Sequence, residues 1–151
     1  MKYSGFAAPI FIIIYALIIA LVLMATFNFG MQAEVAFSRA LAIVIYAWLP
    51  GIVSSILAIV SLLVGNPDNF HFENPVATNA AYFLDPATTS KFVYVLLQSF
   101  DVIGLWIVVL MGIGFAVNAK KKISIGTGIM VVGCWYFLIK LLGAVWAGMR
   151  G

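Results

Sequence analysis

Four apolar runs dominate this chain, at approximately 6–29, 40–64, 92–117 and 123–149. Each exceeds the roughly 18–20 residues with which a helix, rising about 1.5 Å per residue, crosses the hydrocarbon core of a bilayer. Composition points the same way. Of 151 residues, 65% are hydrophobic and only 9% charged, whereas soluble domains run near 45–50% apolar and about 25% charged. Such a chain lacks the polar surface to coat a globule in water, and lipid removes that requirement. The fold class that follows is all-α: a polytopic transmembrane helical bundle of four spans, forming a single integral membrane domain over 1–151.

The runs have legible ends and interruptions. Pro9 falls in the first turn of the first, where a missing N–H costs little. Asn28-Phe29-Gly30 closes it, with Gly30 suited to a left-handed cap. The run is too long for a signal-peptide core and shows no cleavage pattern, so it reads as retained. A short polar connection, Gln32–Arg39, leads into the second run. There Pro50-Gly51 predicts a kink near Trp48, with Ser54 and Ser55 one turn on to supply replacement hydrogen bonds. A hinge or broken helix lining a site is the alternative reading of that proline. The fourth run carries Gly126, Gly133, Lys140 and Ala147 at seven-residue intervals, one seam of a helix pair on which small residues permit close approach.

The only long polar interval lies at 65–90. Asn66-Pro67, Asn74-Pro75 and Asp85-Pro86 repeat one device, a capping side chain followed by a proline at the first helical position. Val76, Ala80, Phe83 and Leu84 recur at helical spacing and predict a short amphipathic helix within the 66–90 loop. Asp85-Pro86 predicts the start of the third span, with Thr88, Thr89, Ser90 and Lys91 in its opening turns. Asp68, His71 and Glu73 have the side chains of metal ligands without the spacing of a helical metal site, and a polar loop explains them better. No cofactor is expected.

Charge placement sets orientation. The net charge is +3, and the run Lys120, Lys121, Lys122 between two apolar segments reads as topogenic, not as a nucleic-acid patch. By the positive-inside rule that turn is cytoplasmic. The 66–90 loop, with Asp68, Glu73 and Asp85 and no cation before its end, lies on the opposite side. The Gln32–Arg39 connection returns to the cytoplasm, and both termini lie outside.

Within the spans, Asp101 is the residue hardest to place. A carboxylate at membrane depth needs an answering group. Asp101 and Lys140 each lie about ten residues from the outer end of neighbouring antiparallel helices, hence at similar depth. An intramembrane Asp101–Lys140 ion pair is expected, with Gln98 one turn away. Holding two spans in register is its simpler role, and a proton or ion relay its functional one. The lone Cys134 reads as a packing residue, and Trp48, Trp106, Trp135 and Trp146 as interface anchors or core. No catalytic constellation of nucleophile and base is present.

Asn74-Pro75-Val76-Ala77-Thr78-Asn79, Phe83-Leu84-Asp85-Pro86, Thr89-Ser90-Lys91-Phe92, Asp101, Trp106, Gly112-Ile113-Gly114-Phe115-Ala116, the lysine turn and the upstream Tyr46-Ala47-Trp48-Leu49-Pro50-Gly51 together resemble the prokaryotic branch of the Yip-one (Ypt-interacting protein) domain family. The resemblance covers nearly the whole chain. It implies five spans with a cytoplasmic N-terminus, so that a first span would be missing here and its addition would reconcile the N-terminus with the charge rule. It also implies a non-enzymatic membrane scaffold or adaptor, related in eukaryotes to Rab-type GTPases and vesicle traffic. The cytoplasmic N-terminal region through which the eukaryotic relatives engage partners has no counterpart in this sequence. The partners expected are the lipid bilayer and other membrane proteins, with a homo-oligomer left open, in the inner membrane of a prokaryotic cell. The alternative function is a small-solute or ion permease using Pro50, Asp101 and Lys140.

Overall fold

Helices account for nearly all regular structure among the described residues, and where they break decides where polar side chains gather. The structure, a computed structural model, describes residues 4–64, 74 and 76–150. Among these residues the helices are α1 Ser4–Met31, α2 Phe37–Ala47, α3 Pro50–Val64, α4 Lys91–Gln98, α5 Val102–Asn118 and α6 Ile125–Arg150, with a 3₁₀ turn at Ala80–Phe83. Three stretches are long and apolar enough to cross a membrane: Pro9–Met31 with 23 residues, Phe37–Val64 with 28 and Ile125–Arg150 with 26. α5 is equally apolar but has 17 residues. This is the make-up of a helical integral membrane protein, with three of the four expected spans at full length.

The expected third span, 92–117, is where sequence and structure part. Its helix stops after Gln98 and restarts at Val102. Short polar side chains compete with the helical ladder for backbone groups at this point. The Ser99 hydroxyl donates to the Val95 carbonyl at 3.1 Å. The Asp101 carboxylate, through Oδ2, accepts the Gly104 N–H at 2.8 Å. That is an N-cap contact, and it makes Asp101 the start of α5 instead of a residue within a continuous helix. α4 itself begins at Lys91, capped by Ser90, not at Asp85-Pro86. Asp85 closes only a local turn, accepting the Ala87 N–H at 2.8 Å.

The amphipathic helix expected in the 66–90 loop is reduced, among the described residues, to the single 3₁₀ turn. Asn74 and Asn79 bond each other side chain to side chain and so withdraw the segment from helical geometry. Asn66, Pro67, Asp68, His71, Glu73 and Pro75 lie outside the described residues.

The second run breaks where Pro50-Gly51 predicts. α2 ends at Ala47, Trp48 and Leu49 turn, and Pro50 opens α3. Trp48 N–H donates to the Ile45 carbonyl at 3.2 Å, and the Ser55 hydroxyl donates to Gly51 O at 3.0 Å. At the end of α1, Gly30 stays helical. Gln32, at φ 55, takes the left-handed position instead, and Glu34 follows at φ 51. Pro9 lies inside α1, beyond the first turn.

The described chain forms two compact units. One comprises Met1–Trp48 and Leu110–Val132, the other Leu49–Val109 and Gly133–Gly151. The first unit is centred on Phe27 and Phe115, both fully buried, their rings stacked at 4.6 Å and 7°. A Cβ added to Gly128 would run into the Gly112 carbonyl oxygen, so here α5 and α6 touch backbone to backbone. This close approach falls at Gly128, off the predicted seam; Gly126 has only the Ser124 hydroxyl at 4.0 Å. In the second unit the buried residues include Asn74, Ala81, Tyr94 and Ser99.

Candidate functional site

The second unit holds an open polar cavity of about 240 Å³. α3 lends it Ser54. The 74–79 segment lends Asn74, Val76, Thr78 and Asn79. Gln98 comes from the end of α4, Asp101 from the break, and Lys140 from α6. Most of these positions are polar, which is unusual in a chain so apolar.

The cavity exists because the break is held open by partners. Val102 N–H donates to the Thr78 carbonyl at 2.9 Å, and Asn79 forms an isolated antiparallel bridge with Asp101. Across the loop, Asn79 Nδ2 donates to Asn74 Oδ1 at 2.7 Å, and Asn74 Nδ2 returns a bond to Asn79 Oδ1 at 3.1 Å. From α6, the Tyr136 hydroxyl donates to the Ser99 carbonyl at 3.0 Å. Non-helical backbone thereby finds its hydrogen bonds inside the protein, the condition for such backbone at membrane depth. The first and last residues of the Asn74–Asn79 motif thus have a mutual physical role.

Asp101 and Lys140 do come to one cavity, as their matched depth predicts. They do not form the direct ion pair expected of them; among the described residues the ion pair present is Lys120–Glu34. Asp101 spends Oδ2 on the α5 cap, while its Oδ1 is buried with no hydrogen-bond partner. Lys140 Nζ lies over the Tyr136 ring, 5.6 Å from its centroid. The two charges face a shared space instead of each other.

A second polar cluster lies in the first unit, where the two short connections meet. Lys120 Nζ donates to Glu34 Oε2 at 2.8 Å, Lys121 Nζ to Gln32 Oε1 at 3.3 Å, and Lys120 N–H to the Ala33 carbonyl at 2.9 Å. Lys120 holds the Glu34 carboxyl below its ordinary pKa, by hydrogen bonding first and by charge second. Asn28 clamps the same turn: Val35 N–H donates to its Oδ1 at 2.8 Å, and its Nδ2 donates to Val35 O at 2.9 Å. The sequence reading missed both contacts, although an asparagine beside an apolar helix end and an acid opposite a lysine turn were visible signals. A shallow groove of about 330 Å³ also runs beside Ile43, Tyr46 and Gly114.

Cys134 is free and exposed. Trp48 stacks on Tyr15 at 5.8 Å, and Arg150 covers Trp146 at 4.3 Å. No grouping of three or more His, Cys, Asp or Glu suited to a metal occurs among the described residues; the Asp68, His71, Glu73 set falls outside them.

Fold and site together define an all-helical membrane protein with a polar cavity at a broken helix. Comparison with protein-family models, with characterised proteins and with solved structures found no match.

Proposed function

We propose that this chain is a membrane scaffold or adaptor of the Yip type, which works by binding a helix of another membrane protein and catalyses no reaction. The observation that carries this reading is α3. Of its fifteen residues only Pro50 is buried, so the helix is nearly unpartnered in its own unit. Its less exposed positions, Gly51, Ser54, Ala58 and Ser61, are all small and recur at intervals of three and four; Ser54 is taken up by the polar cavity, which leaves Ala58 and Ser61 for a partner. Small residues on one stripe are how membrane helices approach closely, because lipid offers no hydrophobic drive to pair them. A Cβ on Gly51 would meet nothing within 4 Å, leaving room for a neighbour. The lysine turn is cytoplasmic in this reading and the 66–90 loop faces the other side.

A photo-crosslinking amino acid placed at Ser55, Ala58 or Leu62 in native membranes tests the proposal. A defined protein adduct from Ala58, identified by mass spectrometry and weaker from the other two, is expected. Lipid adducts alone from all three positions overturn it.

The second reading, a small-solute or ion permease, is favoured by one observation: Asp101 and Lys140 line a polar cavity without neutralising each other. Solute flux into proteoliposomes, compared with protein-free vesicles, separates the two functions.

A further inference from the structure

We propose that the polar cavity of the second unit binds a small zwitterion carrying a primary ammonium and an oxyanion, with the ammonium on Asp101 and the oxyanion on Lys140. The inference concerns what occupies the cavity. It stands whether the protein is a scaffold or a permease, because binding and flux are measured separately.

The charges of the site come first. Among the described residues one acid and one base line the same space, and they sit too far apart for an ion pair. Each therefore lacks a charge partner; both side chains are half-buried, and a ligand that displaces water from the site would have to answer both charges. A simple cation would answer Asp101 and leave Lys140 opposed; a simple anion would do the reverse. Only a dipolar ligand answers both ends and keeps the filled site neutral.

The second observation specifies the positive end. Asp101 Oδ1 is buried and has no donor, while Oδ2 is committed to the Gly104 N–H. A buried carboxylate oxygen without a donor is an unmet demand for an N–H or O–H group. Once the carboxylate turns toward the site, a primary ammonium satisfies it and a quaternary ammonium, which has no N–H, does not. At the other end, a lysine ammonium offers three donors to an oxyanion and needs no fixed geometry from it. Apart from Val76, the rest of the lining, including Thr78 and Gln98, is hydroxyl and amide in character, suited to a polar body and not to an acyl chain.

The site is small. A volume of about 240 Å³ is smaller than the roughly 300–1,000 Å³ of pockets for drug-sized ligands. It suits a small zwitterion or a lipid headgroup. Two sources share this chemistry: a free solute, and the ethanolamine headgroup of a membrane lipid.

The test uses the full chain in nanodiscs of phosphatidylcholine. Calorimetric titration with glycerophosphoethanolamine is expected to show saturable binding, while glycerophosphocholine, ethanolamine alone and inorganic phosphate bind at least roughly tenfold more weakly, as loss of one charged contact implies. Lys140→Met and Asp101→Asn each weaken binding by a similar factor. Asp101→Asn keeps a side-chain oxygen for the α5 cap, and Lys140→Met leaves that cap untouched, so lost binding is separable from lost folding by thermal melting. Nanodiscs containing phosphatidylethanolamine form the second arm. Retention of that lipid in native mass spectra, with loss of soluble-probe binding, assigns the site to the headgroup; undiminished soluble binding assigns it to a free solute. Equal binding of the phosphocholine and phosphoethanolamine compounds, binding of ethanolamine or phosphate alone as tight as the zwitterion, or no saturable binding in either arm overturns the proposal.

Discussion

At the scale of single residues, backbone contact is what cannot be rearranged. Gly128 and Gly112 meet through main-chain atoms, and an added methyl has no flexible side chain to displace. Gly128→Ala is expected to destabilise the first unit by about 1–3 kcal/mol, the range for overpacking. Gly114→Ala is milder, because the atoms it meets belong to the Ile43 side chain. Thermal melts of the purified variants in one detergent check the order. Asn28 offers a second prediction. It forms both bonds that fix Val35, and Asn28→Ala leaves backbone groups short of partners at about 1–3 kcal/mol. Glu34 behaves differently. Its carboxyl pKa is depressed by an exposed lysine, so its contribution is small. A depressed acid stabilises above its ordinary pKa and loses that stabilisation as pH falls through the folded value. The stability difference between wild type and Glu34→Gln should therefore be present at pH 7 and shrink below about pH 4.5. A difference that grew on acidification would contradict the ion pair.

At the scale of elements, the breaks carry more meaning than the helices. Pro50 announces its break in the sequence, because a proline removes a hydrogen bond wherever it stands. Asp101 does not, since an acid inside an apolar run reads equally as a buried ion-pair partner or as a helix cap. What decides is a donor on the next turn, the Gly104 N–H, and an acceptor far along the chain, the Thr78 carbonyl. Long-range acceptors of that kind have no signature in local sequence. The α3 and α6 boundaries were legible for the opposite reason: their apolar runs end in capping or charged residues close by. The capping role has a measurable consequence. Asp101→Ala should lower stability by about 0.5–2 kcal/mol, whereas Asp101→Asn should be nearly neutral, because asparagine caps as well as aspartate. Equal losses in the two variants would show that charge, not capping, holds the break.

At the scale of the whole molecule, the question is whether 92–118 crosses the bilayer although its helix is interrupted. With 17 residues, α5 alone extends about 25 Å against a hydrocarbon core of about 30 Å. The shortfall is within what local thinning of the bilayer accommodates. The backbone of the break is satisfied by protein groups, so it tolerates membrane depth. Four crossings would place the lysine turn and the loop before α4 on opposite faces, as the cation-poor composition of that loop leads one to expect. In a Cys134→Ser background, Lys121→Cys and Thr88→Cys, both at exposed positions, should react with a membrane-impermeant thiol reagent from opposite sides. Lys121→Cys is expected to be protected in intact cells and labelled in inverted vesicles, with Thr88→Cys the reverse. Labelling of both from one side would contradict the Lys120–Glu34 and Lys120–Ala33 contacts, which hold the lysine turn beside the connection that precedes α2, one crossing away from Thr88.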